Sequence, residues 1–145
     1  MTIRTALKSA AFTLILAATA APAIAGGNYV DIDQWGWGNN FGGGQNGDFN
    51  TIIGVQTGIW NDAIVMQDGN GNVGAVGQTG ALNGATIDQN GDCNVGGVGQ
   101  FGTNNDADLQ QNGTCNAAAV LQFGDGNSSS TTQNGTGNST VIIQY

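Results

Sequence analysis

From Asn28 onward the chain alternates in short runs. Apolar or small residues stand two and four places after an Asn, and a Gln closes each run at the sixth place. Val30/Ile32, Ala63/Val65, Ala85/Ile87, Ala107/Leu109 and Ala118/Val120 show the pattern most clearly. A period of two is that of a strand with one face buried, so each run predicts a strand whose Asn, second, fourth and Gln positions face inward. After the Gln, a segment x-G-x-x reads as a turn, with the Gly supplying the positive φ of a tight reversal.

The unit N-x5-Q-x-G-x-x recurs every eleven residues to the end of the chain. Beyond Gln34 and Gln45 it places Gln56, Gln67, Gln78, Gln89, Gln100, Gln111, Gln122, Gln133 and Gln144. Beyond Asn28 and Asn39 it places Asn50, Asn61, Asn72, Asn83, Asn94, Asn105, Asn116, Asn127 and Asn138. The turn glycines are Gly58, Gly69, Gly80, Gly91, Gly102, Gly113, Gly124 and Gly135, after Gly36 and Gly47. A short fixed period marks a repeat architecture. Seven-residue strands joined by four-residue turns bury nothing alone, but two units make a 22-residue strand-turn-strand-turn coil. Stacked coils put each strand parallel and in register with the strand two units on, about 4.8 Å away. The predicted fold is therefore all-β: a β-solenoid with two parallel, in-register sheets of cross-β type. In such a stack Gln stands over Gln and Asn over Asn, so each buried amide finds a partner in an amide ladder.

The first 25 residues differ in kind. Arg4 and Lys8 precede an apolar run, Ala10 to Ala21, and Ala23-Ile24-Ala25 supplies small residues for cleavage after Ala25. This reads as a secretory signal, too short to anchor the chain in a membrane. Export through the Sec pathway is expected, with no integral membrane segment after it. Residues 26–38 hold the first, degenerate unit, NYVDIDQWGWG. It is expected either as an extra half-coil or as a loose secretion-targeting segment ahead of the repeats at 39–145.

Charge narrows the choice of partners. Arg4 and Lys8 are the only basic residues, there is no His, and all ten acidic residues are Asp beyond residue 25. Such a chain has nothing with which to neutralise phosphate, which argues against nucleic acid and anionic membrane surfaces. Traced by 22 residues, no Asp falls directly on another, and stacked carboxylates would repel. Two readings of the Asp stay open: gatekeepers against premature assembly and ordinary solvation.

Cys93 and Cys115 are 22 apart, at one corner of adjacent coils, which suits a disulfide in a secreted chain; two reduced thiols are the alternative. Without His or further ligands they make a poor metal site, and no cofactor or metal is expected. Phe101, Phe123 and Tyr145 share another corner and predict an aromatic column. The outward residues divide by flank. Units beginning at Asn50, Asn72, Asn94, Asn116 and Asn138 carry mostly apolar ones, such as Ile53, Val55, Ala75, Ala119, Val141 and Ile143. The alternate units carry Asp62, Asp88, Asp106, Asp108, Ser128 and Ser130. A contiguous apolar flank marks an interaction surface.

The pattern N-x-A-x3-Q-x-G-x-x-N, seen as NDAIVMQDGNGN at 61–72 and NDADLQQNGTCN at 105–116, resembles the curlin repeat. The resemblance covers residues 28–145. It departs at the second position, where Phe41, Ile52, Gly74, Gly96, Ser129 and Thr140 replace Ala, and in opening every unit with Asn rather than Ser. It implies a secreted subunit that self-assembles into extracellular functional amyloid fibres for matrix, adhesion and cell aggregation. The implied partners are identical copies, a nucleating homologue and an outer-membrane secretion channel.

Two other classes are weaker. A soluble monomeric solenoid that binds ice would want a regular outward Thr array, which Thr51, Thr86 and Thr132 do not form. For calcium, Asp68-Gly69-Asn70-Gly71-Asn72 lacks the closing Glu of a binding loop and reads as a turn. Catalysis would fall to Asp alone, on an exposed strand face rather than a cleft, so no enzyme is expected.

Overall fold

The computed structural model describes residues 26–145; the leader expected at 1–25 lies outside the described residues. Each repeat unit forms one strand. Odd-numbered strands build one sheet: β1 (Tyr29–Trp37), β3 (Thr51–Ile59), β5 (Val73–Ala81), β7 (Val95–Thr103), β9 (Ala117–Asp125) and β11 (Ser139–Gln144), in that spatial order. Even-numbered strands build the other: β2 (Asn40–Asn46), β4 (Asp62–Asp68), β6 (Gly84–Asn90), β8 (Asp106–Thr114) and β10 (Ser128–Thr136). All neighbours are parallel, and every register pair differs by 22 residues, as in Gln56↔Gln78 and Ala85↔Ala107. The chain is thus a β-solenoid of stacked 22-residue coils.

The core lies between the sheets and follows the period. Ile52, Ala63, Val65, Val76, Ala85, Ile87, Val98, Ala107, Leu109, Ala118 and Val120 form one buried column, with Phe41 and Ile142 packed at its ends. Burying a branched side chain of this kind stabilises by about 1.5–3 kcal/mol. The departures from Ala compensate one another across the interior. A Cβ added at Gly54 would meet the ring of Phe41, one at Gly74 would meet Val65, and one at Gly96 would meet Leu109. Where one strand carries no side chain, a larger residue of the facing sheet fills the space, which keeps the sheets evenly spaced.

The corners differ from the expected four-residue turn. Most strands run nine residues, through the turn glycine, as in β3 and β8. Successive coils are alike even at the bend, so the backbone ladder continues around it. Gly80, at φ 127°, carries that bend, and a Cβ there would overlap Gly102 O of the next coil. The left-handed corner residue falls two places further on. In the inner coils it is Phe49, Trp60, Leu82, Cys93, Asn104 or Cys115, with φ between 52° and 63°, and once Gly71 at 67°.

Candidate functional site

Buried Gln side chains connect the coils and also tie the sheets together. Each Gln donates through Nε2 to Oε1 of the Gln one coil further toward the C-terminus. The chain of bonds runs Gln56→Gln78 at 2.7 Å, Gln78→Gln100 at 2.8 Å, Gln100→Gln122 at 2.9 Å and Gln122→Gln144 at 2.8 Å. Gln45→Gln67→Gln89→Gln111→Gln133 does the same in the even sheet. The second Nε2 hydrogen crosses to a backbone carbonyl of the facing sheet, from Gln56 to Asn40 O and from Gln100 to Gly84 O. Gln56, Gln89, Gln100, Gln111 and Gln122 are wholly buried, and this satisfaction of every amide is what makes such burial tolerable.

The Asn column runs the other way. Oδ1 of each Asn accepts the backbone N–H of the Asn 22 residues later, as from Asn83 to Asn61 at 3.2 Å and from Asn105 to Asn83 at 3.2 Å. Nδ2 donates to a turn-glycine carbonyl of the next coil, from Asn50 to Gly69 O and from Asn94 to Gly113 O. Asn83, Asn105, Asn116, Asn127 and Asn138 also donate Nδ2 to the Asn below. Gln carbonyls therefore face the N-terminal end of the stack and Asn carbonyls the C-terminal end. Strict spacing foretold the stacking; nothing in the residue types foretold the opposed directions.

At the corners, Cys93 and Cys115 are disulfide-bonded, with Cα atoms 4.4 Å apart. Phe101, Phe123 and Tyr145 stack with ring centroids 5.2 and 5.7 Å apart and nearly parallel planes. The turn glycines from Gly36 to Gly135 all have positive φ.

On the outer faces Asp48, Asp62, Asp68, Asp92 and Asp125 accept from the coil before them. Asn40 donates to Asp62 at 2.7 Å, Asn46 to Asp68 at 2.9 Å and the Asn70 N–H to Asp92 at 2.7 Å. Thr103 donates to Asp125 at 2.6 Å and Asn104 at 3.1 Å, and these bonds hold the Asp125 carboxyl below its ordinary pKa. The Tyr29 phenol is raised by its bond to Asp31 and by that carboxylate's charge. Each register pair sets Asp beside a neutral residue, as Asp62 beside Asn40 and Gly84. The same 22-residue columns that keep the carboxylates apart place Asn40 over Asp62, Asn46 over Asp68 and Thr103 over Asp125, so these donors are legible in the sequence. The odd sheet exposes Ile53, Val55, Val95, Val141 and Ile143, and the even sheet Ile64 and Met66.

A shallow open groove on the even sheet, lined by Met66, Asp68, Asp88 and Asn90, contains no constellation for acid-base or nucleophilic work. No group of three or more His, Cys, Asp or Glu able to hold a metal occurs among the described residues. No helix among them is long and apolar enough to cross a membrane.

Fold and ladders together define a structural repeat protein, whose chemistry is hydrogen bonding between like residues of successive coils. Residues 82–113 and 102–133 each match the curlin associated repeat, which supports a structural subunit of the curli type. A comparison with curated proteins gave no significant match.

Proposed function

We propose that the chain is exported and polymerises end to end into extracellular amyloid fibres of the curli type, serving matrix formation, adhesion and cell aggregation. One observation carries this reading: equivalent repeat positions pair at a constant separation of 22 from β1 to β11, Gln on Gln throughout, and both ends of the stack leave strand edges uncovered among the described residues. An uncovered edge templates another strand, and here the strand that fits best is another copy's. An incoming unfolded chain gains backbone pairing and amide ladders together as it folds onto a fibre end. The curlin repeat further supports a nucleating homologue and an outer-membrane channel as partners, with the segment at 1–25 directing export and 26–38 targeting the channel.

The decisive experiment follows thioflavin fluorescence of purified residues 26–145 with and without preformed seeds. Seeded growth with β-rich circular dichroism is expected; a stable monomer under both conditions would refute polymerisation. Deleting residues 26–38 should block export while leaving polymerisation in vitro. Replacing Ile53, Ala75 and Ala119 by Asp on the apolar flank should abolish fibre bundling while single fibres persist, as electron microscopy would show.

A further inference from the structure

The two sheets do not have equal numbers of strands. The odd sheet has six and the even sheet five, so β1 and β11 are both half-coils on the same side of the stack. Each lacks a facing strand at its end. Their inward side chains show it: Val30 and Ile32 of β1 are 51% and 37% exposed, while the equivalent inner residues Ala85 and Ile87 are buried. Ile142 of β11 is only partly buried.

We propose that each copy added to the stack is turned half a revolution about the stack axis, so that its β1 lies beside β10, opposite β11, of the copy before it. This deepens the end-to-end reading and rests on it. In that seat the two half-coils complete one whole coil: Val30 and Ile32 of the newcomer close over Thr140 and Ile142, and its β2 continues the odd sheet beside β11. The ladders are continuous. Gln133 and Gln144 end the two ladders, Gln144 with one Nε2 hydrogen unspent and Gln133 with its second on Thr140 Oγ1, a bond it would give up to the newcomer; the Oε1 atoms of Gln34 and Gln45 have no donor among the described residues. In the other direction, Oδ1 of Asn127 and Asn138 is free to accept the N–H of Asn28 and Asn39 of the next copy. The corner residues that meet at the joint, Gly27 and Gly38 with Gly126 and Gly137, are all glycines at φ 68° to 76°.

The outer faces select among the possible seats. The half-turn seat puts Asp31 and Asp33 beside Ser130 and Thr132, hydroxyls that donate as Thr103 does to Asp125. Seating β1 directly on β11 without rotation would put the same carboxylates beside Val141 and Ile143 and leave the edge of β10 bare. Detaching β1 and seating β2 on β10 would also avoid rotation, but it forfeits the nine-residue pairing of β1 with β3. With the half-turn, the apolar outer face of one copy is followed on the same flank by the polar face of the next. Identical flanks recur every second copy, about 53 Å along the axis for eleven coils at 4.8 Å each.

The test uses cysteine pairs in a Cys93→Ser/Cys115→Ser background, with fibres grown from residues 26–145 and then oxidised. Asp31→Cys with Ser130→Cys should link successive copies into covalent ladders. Asp31→Cys with Val141→Cys reports the unrotated seat, and Asn40→Cys with Ser128→Cys reports the seat without β1; both should stay unlinked. Linkage by either of these pairs in place of the first overturns the half-turn while leaving polymerisation intact. Failure of the unsubstituted chain to form seeded fibres overturns both. Should the cysteine variants not assemble, electron cryomicroscopy of unsubstituted fibres decides: a rotation near half a turn per rise of about 26 Å is expected, and no rotation per subunit refutes it.

Discussion

Leu109, in the middle of the stack, is wholly buried, while Ile32, the residue at the same place in the first unit, is 37% exposed. Gln100 accepts from Gln78 and donates to Gln122 and to Gly84 O; Gln144 accepts from Gln122 and donates only to Ser128 O. The units are nearly the same in sequence, so the difference lies in their neighbours. Burial and amide satisfaction belong to the contact between coils rather than to the unit, as in any linear repeat array. The terminal coils are inner coils that lack one neighbour.

Substitutions at matched inner and outer positions should exaggerate this contrast. The greatest difference is expected between Gly80→Ala and Gly124→Ala, two coils on in the same column. The first drives a methyl into Gly102 O, whereas a Cβ at Gly124 comes no closer than 3.8 Å to Asn127 Nδ2 and the Tyr145 carbonyl carbon. Gly80→Ala should prevent the coils from closing and abolish seeded growth, while Gly124→Ala costs about 1–2 kcal/mol for its positive φ. Next, Leu109→Ala should lower stability by about 2–5 kcal/mol through the cavity it leaves, against about 1 kcal/mol for half-buried Ile142→Ala at the same place in the last unit. Gln100→Ala, which strands the carbonyl of Gln122, should cost about 3 kcal/mol and Gln144→Ala about 1 kcal/mol. Denaturant midpoints of the soluble chain before assembly, compared pairwise, check both; equal losses at inner and terminal sites would contradict the contrast.

Removing the Cys93–Cys115 bridge with two Ser substitutions should cost about 3 kcal/mol in the isolated chain, and less within a fibre whose neighbours already hold the corner. Comparing the midpoints of soluble and fibrous protein, oxidised and reduced, measures that difference. The smallest effect concerns pH. Asp125 has a lowered folded-state pKa, so its contribution is fully present above the ordinary carboxylate value and is lost as pH falls through the lowered one. A slight acid destabilisation, reduced by Asp125→Asn, should appear between neutral pH and pH 2 in such midpoints, since exposed charge contacts are weak.

The interior was legible in the sequence because a period of eleven and an alternation of two leave few ways to bury Asn, Gln and branched residues together. Position alone brought Cys93 to Cys115 and Phe101 to Phe123. The corners were harder to read. Trp60, Leu82 and Phe49 occupy left-handed backbone that residue preference assigns to glycine, because stacking of the coils overrides local cost. Nor does a column of amides reveal which way it points. That choice depends on the backbone groups each side chain meets: Gln lies under a facing-sheet carbonyl, and Asn beside its successor's N–H.

The opposed amide columns have an electrostatic result. In an α-helix the peptide dipoles add, and charge accumulates at the termini. Here the carbonyls of Gln and Asn face opposite ends of the stack, so their moments largely cancel in every coil. The amide columns therefore do not act in concert along the stack, and the charge that a longer array gathers is that of its Asp carboxylates.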